Sequence, residues 1–219
     1  SDGSHLREPM SYRSAFLGFC LGFLLLYIFL IKAGCSAISA LFFLFIYLAL
    51  SISIARMRAE LGAPVHDLHY AGPDQMLPRL AGLEHFSKGD LVFFTLSWGF
   101  NRAYRAHPMP HQIEGLKLAE RTGTSYRQYI FAMLFAGLIG SLSAFWAHLY
   151  VRYKIGAASA KISPWVVGFG WEAYNRLSSW LNMPHSMDTM CSVFTAFGFL
   201  GVIFLMLMKN IYIWWPFHP

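Results

Sequence analysis

Four long apolar runs constrain this chain more than any other feature of its sequence. They cover residues 14–31, 37–55, 129–151 and 191–208, and none of them contains Asp, Glu, Lys or Arg. A helix needs about 20 largely apolar residues to cross a bilayer. A helix that is apolar on every side belongs in lipid or in a large core. The runs therefore predict an integral membrane protein with about four transmembrane helices.

Composition agrees with this class. Hydrophobic residues make up 56% of the chain and charged residues only 13%, about half the charged share of a soluble domain. Residues 1–219 are expected to form a single all-α membrane domain, a bundle of helices whose natural surroundings are the lipid bilayer. The formal net charge of +6 does not indicate a nucleic-acid partner, because the basic residues bracket the apolar runs and form no binding motif.

The distribution of basic residues predicts an orientation. With a cytoplasmic N-terminus, 12 Lys and Arg lie inside and 5 outside, as the positive-inside rule prefers. Both termini and residues 56–128 are then cytoplasmic, whereas residues 32–36 and 152–190 are external.

Two apolar stretches are shorter than a span. Residues 91–101 are too few to cross the roughly 30 Å of a bilayer core as a helix, so we expect them not to span. A re-entrant helix, a broken helix and an interfacial helix all remain open for them. Residues 165–181 mix tryptophans with charged groups. They predict an amphipathic helix at the surface opposite residues 56–128.

Small residues recur at helix-packing intervals within the runs. Gly18 and Gly22 form one such pair, and Ala136, Gly140 and Ala144 form a longer series. Spacing of this kind lets helices approach closely in lipid. Other membrane helices are therefore expected partners, from the rest of a larger protein, from a second copy or from a complex.

Polar residues gather in two clusters of residues 56–128. This segment carries seven of the eleven acidic residues beside its nine Lys and Arg. A balanced charge predicts a folded polar network, since a lipid-binding tail would carry one sign. The candidates for a substrate site or polar network are His66, Asp67, His69, Asp74, Asn101, Arg102, Arg105, His107, His111 and Glu114.

Metal binding has weak support. His107 and His111 have the HxxxH spacing of a helical zinc site, but Pro108 and Pro110 interrupt a helix between them. Pro110 instead indicates the start of a short helix that ends before Gly123. The two histidines are weak candidate ligands, and no cofactor is identified.

The arginines of the second cluster are expected to have acidic partners. Arg102 and Arg105 follow an apolar stretch, where an unpaired charge would be costly. A guanidinium matches a carboxylate through two parallel hydrogen bonds. We therefore expect pairing with carboxylates among Asp67, Asp74 and Glu114.

Three segments give the chain a family resemblance: RAELGAPVHDLHYAGPDQM, FNRAYRAHPMPHQIEGLKLAER and the terminal WWPFHP. They resemble an uncharacterised family of bacterial polytopic membrane proteins that is distantly similar to the oligopeptide and yellow-stripe-like transporters. The resemblance implies a bacterial cytoplasmic membrane and further spans on both sides. The chain is then a fragment or a split relative of a larger protein.

These observations predict a membrane transport protein or a segment of one, with an unidentified solute. The alternative is a non-catalytic accessory subunit that packs against a larger membrane complex. The sequence contains no phosphate-binding loop, dinucleotide fingerprint, nucleophile elbow or zinc-protease motif. We therefore do not expect an enzyme.

Overall fold

The computed structural model describes residues 10–62, 68–157, 159, 161, 163–212 and 214–217. Within these residues the chain forms eight α-helices and one 3-10 turn, and no strand. The 3-10 turn, Leu83–His85, lies between the third and fourth helices. The helices are α1 Tyr12–Lys32, α2 Ala37–Leu61, α3 Pro73–Ala81, α4 Lys88–Asn101, α5 Pro108–Thr122, α6 Tyr126–Ile155, α7 Pro164–Asn182 and α8 Thr189–Ile211.

Four of these helices are long and apolar enough to cross a membrane: α1, α2, α6 and α8. They contain the four predicted apolar runs, so the all-α class and the number of spans are confirmed. Polar caps fix several of their ends. Ser11 and Ser36 cap the first turns of α1 and α2 with their hydroxyls, and Gly62 ends α2 in the left-handed conformation at φ 63°.

The start of α4 is fixed against the turn between α1 and α2. Ser87 and Asp90 form a reciprocal capping box, in which each side chain accepts a hydrogen bond from the other residue's backbone amide. The Asp90 carboxylate also accepts a hydrogen bond from the Ser36 amide at 2.7 Å. The helix that follows has 14 residues and measures about 21 Å. It contains the apolar stretch at residues 91–101.

From this start, α4 runs alongside α2 in the same direction. Phe94 stacks on Phe43 with ring centroids 6.0 Å apart, and Phe100 meets Tyr47 edge-on at 6.3 Å. The contact of Asp90 with Ser36 lies just before the beginning of α2. In all three contacts, residues later in α4 meet residues later in α2, so the two helices run in the same direction. The short helix α4 therefore lies beside a candidate span rather than beyond its end.

The helix α7 packs on α4 and runs in the opposite direction. Near the middle of α7, Glu172 pairs with Arg102, directly after the end of α4. Near the end of α7, Trp180 enters the same hydrophobic core as Leu91 from the beginning of α4. The helix predicted over residues 165–181 is thus present, with one face buried against α4.

These contacts do not fit the predicted separation of the two polar segments. The sequence places residues 56–128 and 152–190 on opposite surfaces, but Arg102 of the first segment pairs with Glu172 of the second. Asp90 likewise reaches Ser36 in the turn that was assigned to the other side. The reason is that α4 packs with both α3 and α7 and lies beside α2, so the two segments do not form separate layers. The side that faces the cytoplasm stays a prediction.

Burial is unevenly distributed among the helices. The main core joins the α1–α2 turn, α2, α4 and the end of α7. No residue of α6 or α8 is buried. The core consists of Leu30, Cys35, Ala40, Phe43, Leu44, Leu77, Leu83, Leu91, Phe93, Phe94 and Trp180.

Candidate functional site

Two interruptions of helical structure meet beside α2. One precedes α3, and the other separates α4 from α5. Tyr70, in the left-handed region at φ 60°, donates its amide to the Arg102 carbonyl at 3.2 Å. Gly72 packs so closely on Asn101 that a β-carbon at this position would overlap its side chain. We call the group of polar residues here the polar junction: Tyr70, Asp74, Asn101, Arg102, Tyr104, Glu172 and Arg176.

Asp74 is the buried acid of the polar junction, with a fully buried side chain. Its Oδ2 accepts a hydrogen bond from Arg176 at 3.3 Å. Its Oδ1 lies near Asn101, but neither Oδ1 nor the Asn101 amide makes a well-formed hydrogen bond within the described residues. The helix α3 lies outside the four candidate spans. Burial raises the pKa of Asp74 to about 6, although Arg176 and Asn101 favour the charged form.

The helix α7 supplies two charges to the polar junction, one helical turn apart. Glu172 accepts hydrogen bonds from the Arg102 guanidinium at 3.3 Å and from the Tyr70 hydroxyl at 3.1 Å. Arg176 reaches Asp74 from the next turn. Each arginine therefore has a carboxylate partner on a different helix. Ion pairs in such partly buried positions are screened less than exposed ones.

Aromatic rings surround both guanidinium groups. The Arg102 guanidinium lies 4.5 Å from the centre of the Phe169 ring. The Arg176 guanidinium lies 4.3 Å from the Trp98 ring centre and 5.0 Å from that of Trp180. A guanidinium over an aromatic face is attracted to the ring quadrupole. These rings hold the arginines in place and shield their ion pairs from solvent.

His107 is buried and connects the start of α5 to α2. Its Nδ1 accepts a hydrogen bond from the Met109 amide at 3.3 Å, so Nε2 carries the proton and donates to the Ser51 hydroxyl at 2.9 Å. The Ser51 hydroxyl in turn donates to the Tyr47 carbonyl at 2.6 Å. His107 therefore caps α5 and fastens it to α2.

The next turn of α5 makes a second connection. Glu114 accepts two hydrogen bonds from the Arg58 guanidinium of α2, at 2.5 and 3.2 Å. His111 Nε2 lies 3.2 Å from the Arg105 carbonyl. The side chains of His111 and Glu114 are about half exposed. These contacts stabilise the position of α5, which ends before Gly123 as predicted and begins two residues earlier, at Pro108.

The structure divides the predicted site residues into two groups. One group lies in the polar junction, and the other surrounds the start of α5. His69 is exposed beside Tyr70, with ring centroids 5.9 Å apart. His66 and Asp67 lie outside the described residues. The first group is Asp74, Asn101 and Arg102, and the second is Arg105, His107, His111 and Glu114.

For Arg102, the pairing predicted from the sequence is wrong in its partner; for Arg105 it stays a prediction, because the candidate partner Asp67 lies outside the described residues. The carboxylate beside Arg102 is Glu172, which was not among the expected acids. Asp74 pairs with Arg176, and Glu114 pairs with an arginine of α2. The expected pairs assumed that one chain segment supplies both charges, whereas α7 and α2 supply half of them.

A sequence signal for the missing partners was present. Glu172 and Arg176 are the only charged residues within the apolar stretch 165–181, and they stand four residues apart. Two opposite charges on one face of an otherwise apolar helix indicate a polar contact with another helix. The partner helix could not be named from this spacing.

The contacts of the two candidate metal ligands are to protein groups. The ring nitrogens of His107 bond with Met109 and Ser51, and His111 Nε2 contacts the Arg105 carbonyl. Among the described residues, no three His, Cys, Asp or Glu side chains are grouped so that they could hold a metal ion.

A cleft of about 1010 Å³ lies between the C-terminal half of α4, α7 and the end of α6. Arg102 and Arg152 are its charged lining residues, and Asn175 adds an amide. Arg152 Nε is buried and has no hydrogen-bond partner within the described part of the chain. Apolar and aromatic side chains form most of the remaining wall, including Leu96, Trp98, Val167, Phe169, Trp171 and Tyr174.

The chain belongs to a family of unknown function, DUF6785, whose sequence profile matches residues 2–219. No curated protein and no solved structure matches the chain. Family membership therefore assigns no solute or reaction, and the similarity to oligopeptide and yellow-stripe-like transporters stays a prediction.

Proposed function

We propose that this chain is a membrane transport protein, or a segment of one, in a bacterial cytoplasmic membrane. The polar junction is the observation that carries the proposal. It combines a buried carboxylate, a buried amide and two paired arginines at a break between helices. Transporters use broken helices and charged side chains of this kind at their solute and ion sites. Ionisable groups at membrane depth are otherwise costly and rare.

The depth of the polar junction supports this reading. The Tyr104 ring lies 6.4 Å from the Tyr47 ring, and His107 bonds with Ser51. Tyr47 lies about 15 Å along α2 from Ala37, whereas a bilayer core is roughly 30 Å thick. Non-helical backbone at such a depth requires a cover of protein or a water-filled path. A path for a polar solute would account for both the break and the charges.

The second candidate function is a non-catalytic accessory subunit of a larger membrane complex. The observation that favours it is the exposure of most of α6 and α8, in which no residue is buried. Such helices suit contact with further membrane helices, and small residues on α6 would allow close approach. In this role the polar junction would be a closed structural network with no access from water.

Access of water to the polar junction separates the two candidates. Asn101→Cys, in a chain whose three cysteines are replaced by alanine, would be treated with the impermeant reagent trimethylammonium-ethyl methanethiosulfonate. The reaction would be followed separately in sealed right-side-out and inside-out vesicles. A transport path predicts modification from both sides, since the site opens alternately to each. A closed network predicts none.

A matched control is Ser141→Cys in α6, whose side chain is exposed on a candidate span. A thiol in contact with lipid ionises poorly and should react slowly from either side. Protection of Asn101→Cys from both sides, in protein that elutes as a single species, would contradict transport through this site. Modification from one side only would show that the polar junction is a cavity open to one side of the membrane. That result would also contradict transport through this site.

A further inference from the structure

The cleft between α4, α6 and α7 carries a positive charge that no described residue compensates. Of its two arginines, Arg102 pairs with Glu172. Arg152 forms no ion pair among the described residues, and its Nε is buried without a hydrogen-bond partner. A guanidinium nitrogen withdrawn from solvent is costly unless an acceptor reaches it. The chemistry of the cleft therefore calls for an anionic group beside Arg152.

The position of Arg152 indicates where that anion comes from. It lies in the last turn of α6, together with Lys154, and Tyr150 and Tyr153 flank it in the sequence. Basic residues and tyrosines at the end of a spanning helix are typical of the membrane–water interface. Lipid phosphates occupy that level of the bilayer.

The rest of the wall suits a hydrocarbon chain. Leu96, Val167 and Trp171 line the cleft, and the side chains of Leu96 and Trp171 are also exposed to the surroundings. The volume of about 1010 Å³ stands at the upper end of small-ligand sites. It admits a headgroup and part of an acyl chain.

We propose that this cleft binds one anionic phospholipid, with its phosphate beside Arg152 and its acyl chain along the apolar wall. The proposal does not depend on transport, because a lipid site would serve a transporter and an accessory subunit equally. Recognition rests on the single uncompensated guanidinium and on the apolar wall. Selectivity should therefore favour phosphatidylglycerol over phosphatidylcholine.

Tryptophans in the cleft permit a direct test. Trp98 and Trp171 line it, and bromine atoms on an acyl chain quench tryptophan fluorescence on contact. The full chain would be reconstituted in phosphatidylcholine vesicles with a small fraction of either brominated phosphatidylglycerol or brominated phosphatidylcholine. We expect the anionic lipid to associate about fivefold more strongly, the factor typical of one basic residue near an anionic surface. The excess quenching should fall when Trp171 is changed to Phe.

Substitution of Arg152 tests whether this residue selects the lipid. Arg152→Gln should remove the fivefold preference, whereas Arg152→Lys should retain most of it because the charge remains. Arg127→Gln is the matched control, since Arg127 is an exposed arginine in the first turns of the same helix. It should leave the preference unchanged. Helical content and elution volume would verify that each variant folds.

Three outcomes would overturn the proposal. Equal quenching by the two brominated lipids in the native chain would show that the cleft does not select an anionic lipid. Thermal stabilisation by inorganic phosphate, without preference between the lipids, would identify a soluble anion as the ligand instead. Loss of the preference in Arg127→Gln as well would mean that general surface charge produces it.

Discussion

Helices α2 and α8 have nearly equal hydropathy, yet the fold uses them in opposite ways. One third of the most apolar stretch of α2 is buried inside the protein, whereas none of the corresponding stretch of α8 is. The helix α2 packs against α1, α3 and α5, and contacts α4 through its aromatic rings. Hydropathy thus identifies helices that suit a membrane, but it does not distinguish a helix that packs inside the protein from one that faces outward.

Hydrogen bonds to other segments distinguish α2 from α8. On α2, Ser51 bonds with His107 of another segment, and Ser36 at its start bonds with Asp90 of α4. On α8, the hydroxyls of Ser192 and Thr195 bond only to carbonyls of their own helix or cap in the described contacts. We call α2, α3, α4 and α7 the packed layer. Substitutions there should therefore cost more than equivalent ones in α6 and α8.

The largest difference is expected for glycine substitutions. Gly89 at the start of α4 packs directly on the Gly34 carbonyl, so a β-carbon there would overlap backbone. Gly140 in α6 has open space around it. Gly89→Ala should destabilise the protein by about 3 kcal/mol, because neither backbone can move without disturbing the turn. Gly140→Ala should be neutral or slightly stabilising.

The measurement is the thermal unfolding of each purified variant in the same detergent. The readout is the fraction of protein that remains monodisperse after heating to each temperature. Equal stability of the two variants would contradict the packing described for α4. A large loss for Gly140→Ala would be informative in another way, since it would reveal that a second copy or a partner covers α6.

The second prediction compares two aspartates that cap helices. Asp90 accepts hydrogen bonds from Ser36 and Ser87, while Asp188 caps only its own helix, α8, at the Cys191 amide. Asp90→Ala should cost about 2–3 kcal/mol, because the partly buried hydrogen bonds from two segments lose their charged acceptor. Asp188→Ala should cost about 1 kcal/mol, as for an exposed cap. Thermal unfolding at neutral pH measures both, and equal losses would contradict the role of Asp90.

Asp90 also gives this difference a pH dependence. Burial alone would raise its pKa, but the hydrogen bonds from Ser36 and Ser87 together hold the pKa below its usual value. A lowered carboxyl pKa stabilises the fold above the unfolded value of about 4 and loses that effect as pH falls further. Lowering the pH from about 5 to 3 should therefore destabilise the native chain more than it destabilises the Asp90→Asn variant.

The spans could be predicted from the sequence because their cause is local. Each of the four apolar runs is long enough to cross a bilayer by itself. The end of α5 is likewise marked locally, by Gly123 directly after its last residue. The arrangement of α4 and α7 has a different cause. Both are shorter than the four candidate spans, and α7 also carries charged residues. Their positions follow from contacts between residues more than 50 positions apart, such as Ser36 with Asp90.

The same difference between local signals and long-range contacts explains which site residues could be predicted. Asp74, Asn101 and Arg102 could be selected from the sequence because polar residues beside apolar stretches are unusual. Their partners Glu172 and Arg176 lie about 70 and 102 positions away, and no local pattern connects them. Charge counting then assigned the two segments to opposite surfaces, because it treats each loop as independent of the others.

The third prediction concerns the buried acid of the packed layer. Burial raises the pKa of Asp74 to about 6 from an ordinary value of 3.8. The folded state then holds a proton that the unfolded state releases, so stability should fall as pH rises from about 4 to 6 and remain lower above that. Asp74→Asn cannot titrate and should remove this fall, which is about 2–3 kcal/mol. Thermal unfolding at a series of pH values tests it, and an unchanged slope would contradict the burial of the carboxylate.

The smallest expected effect compares two arginines of α2 that lie two residues apart. The Arg58 side chain is 13% exposed and pairs with Glu114 of α5, whereas the Arg56 side chain is 51% exposed and pairs with Glu60 of its own helix. An exposed pair within one helix contributes only about 0.3–0.5 kcal/mol, because water and salt screen it. Arg58 is less screened and fastens two helices, although Glu114 remains half exposed. Arg58→Gln should therefore cost about 1 kcal/mol and Arg56→Gln less than half of that.

A double variant of Arg58→Gln with Glu114→Gln should be hardly less stable than Arg58→Gln alone, since the two residues share one interaction. Additive losses would show that α5 is held to α2 by other contacts, His107 with Ser51 foremost among them.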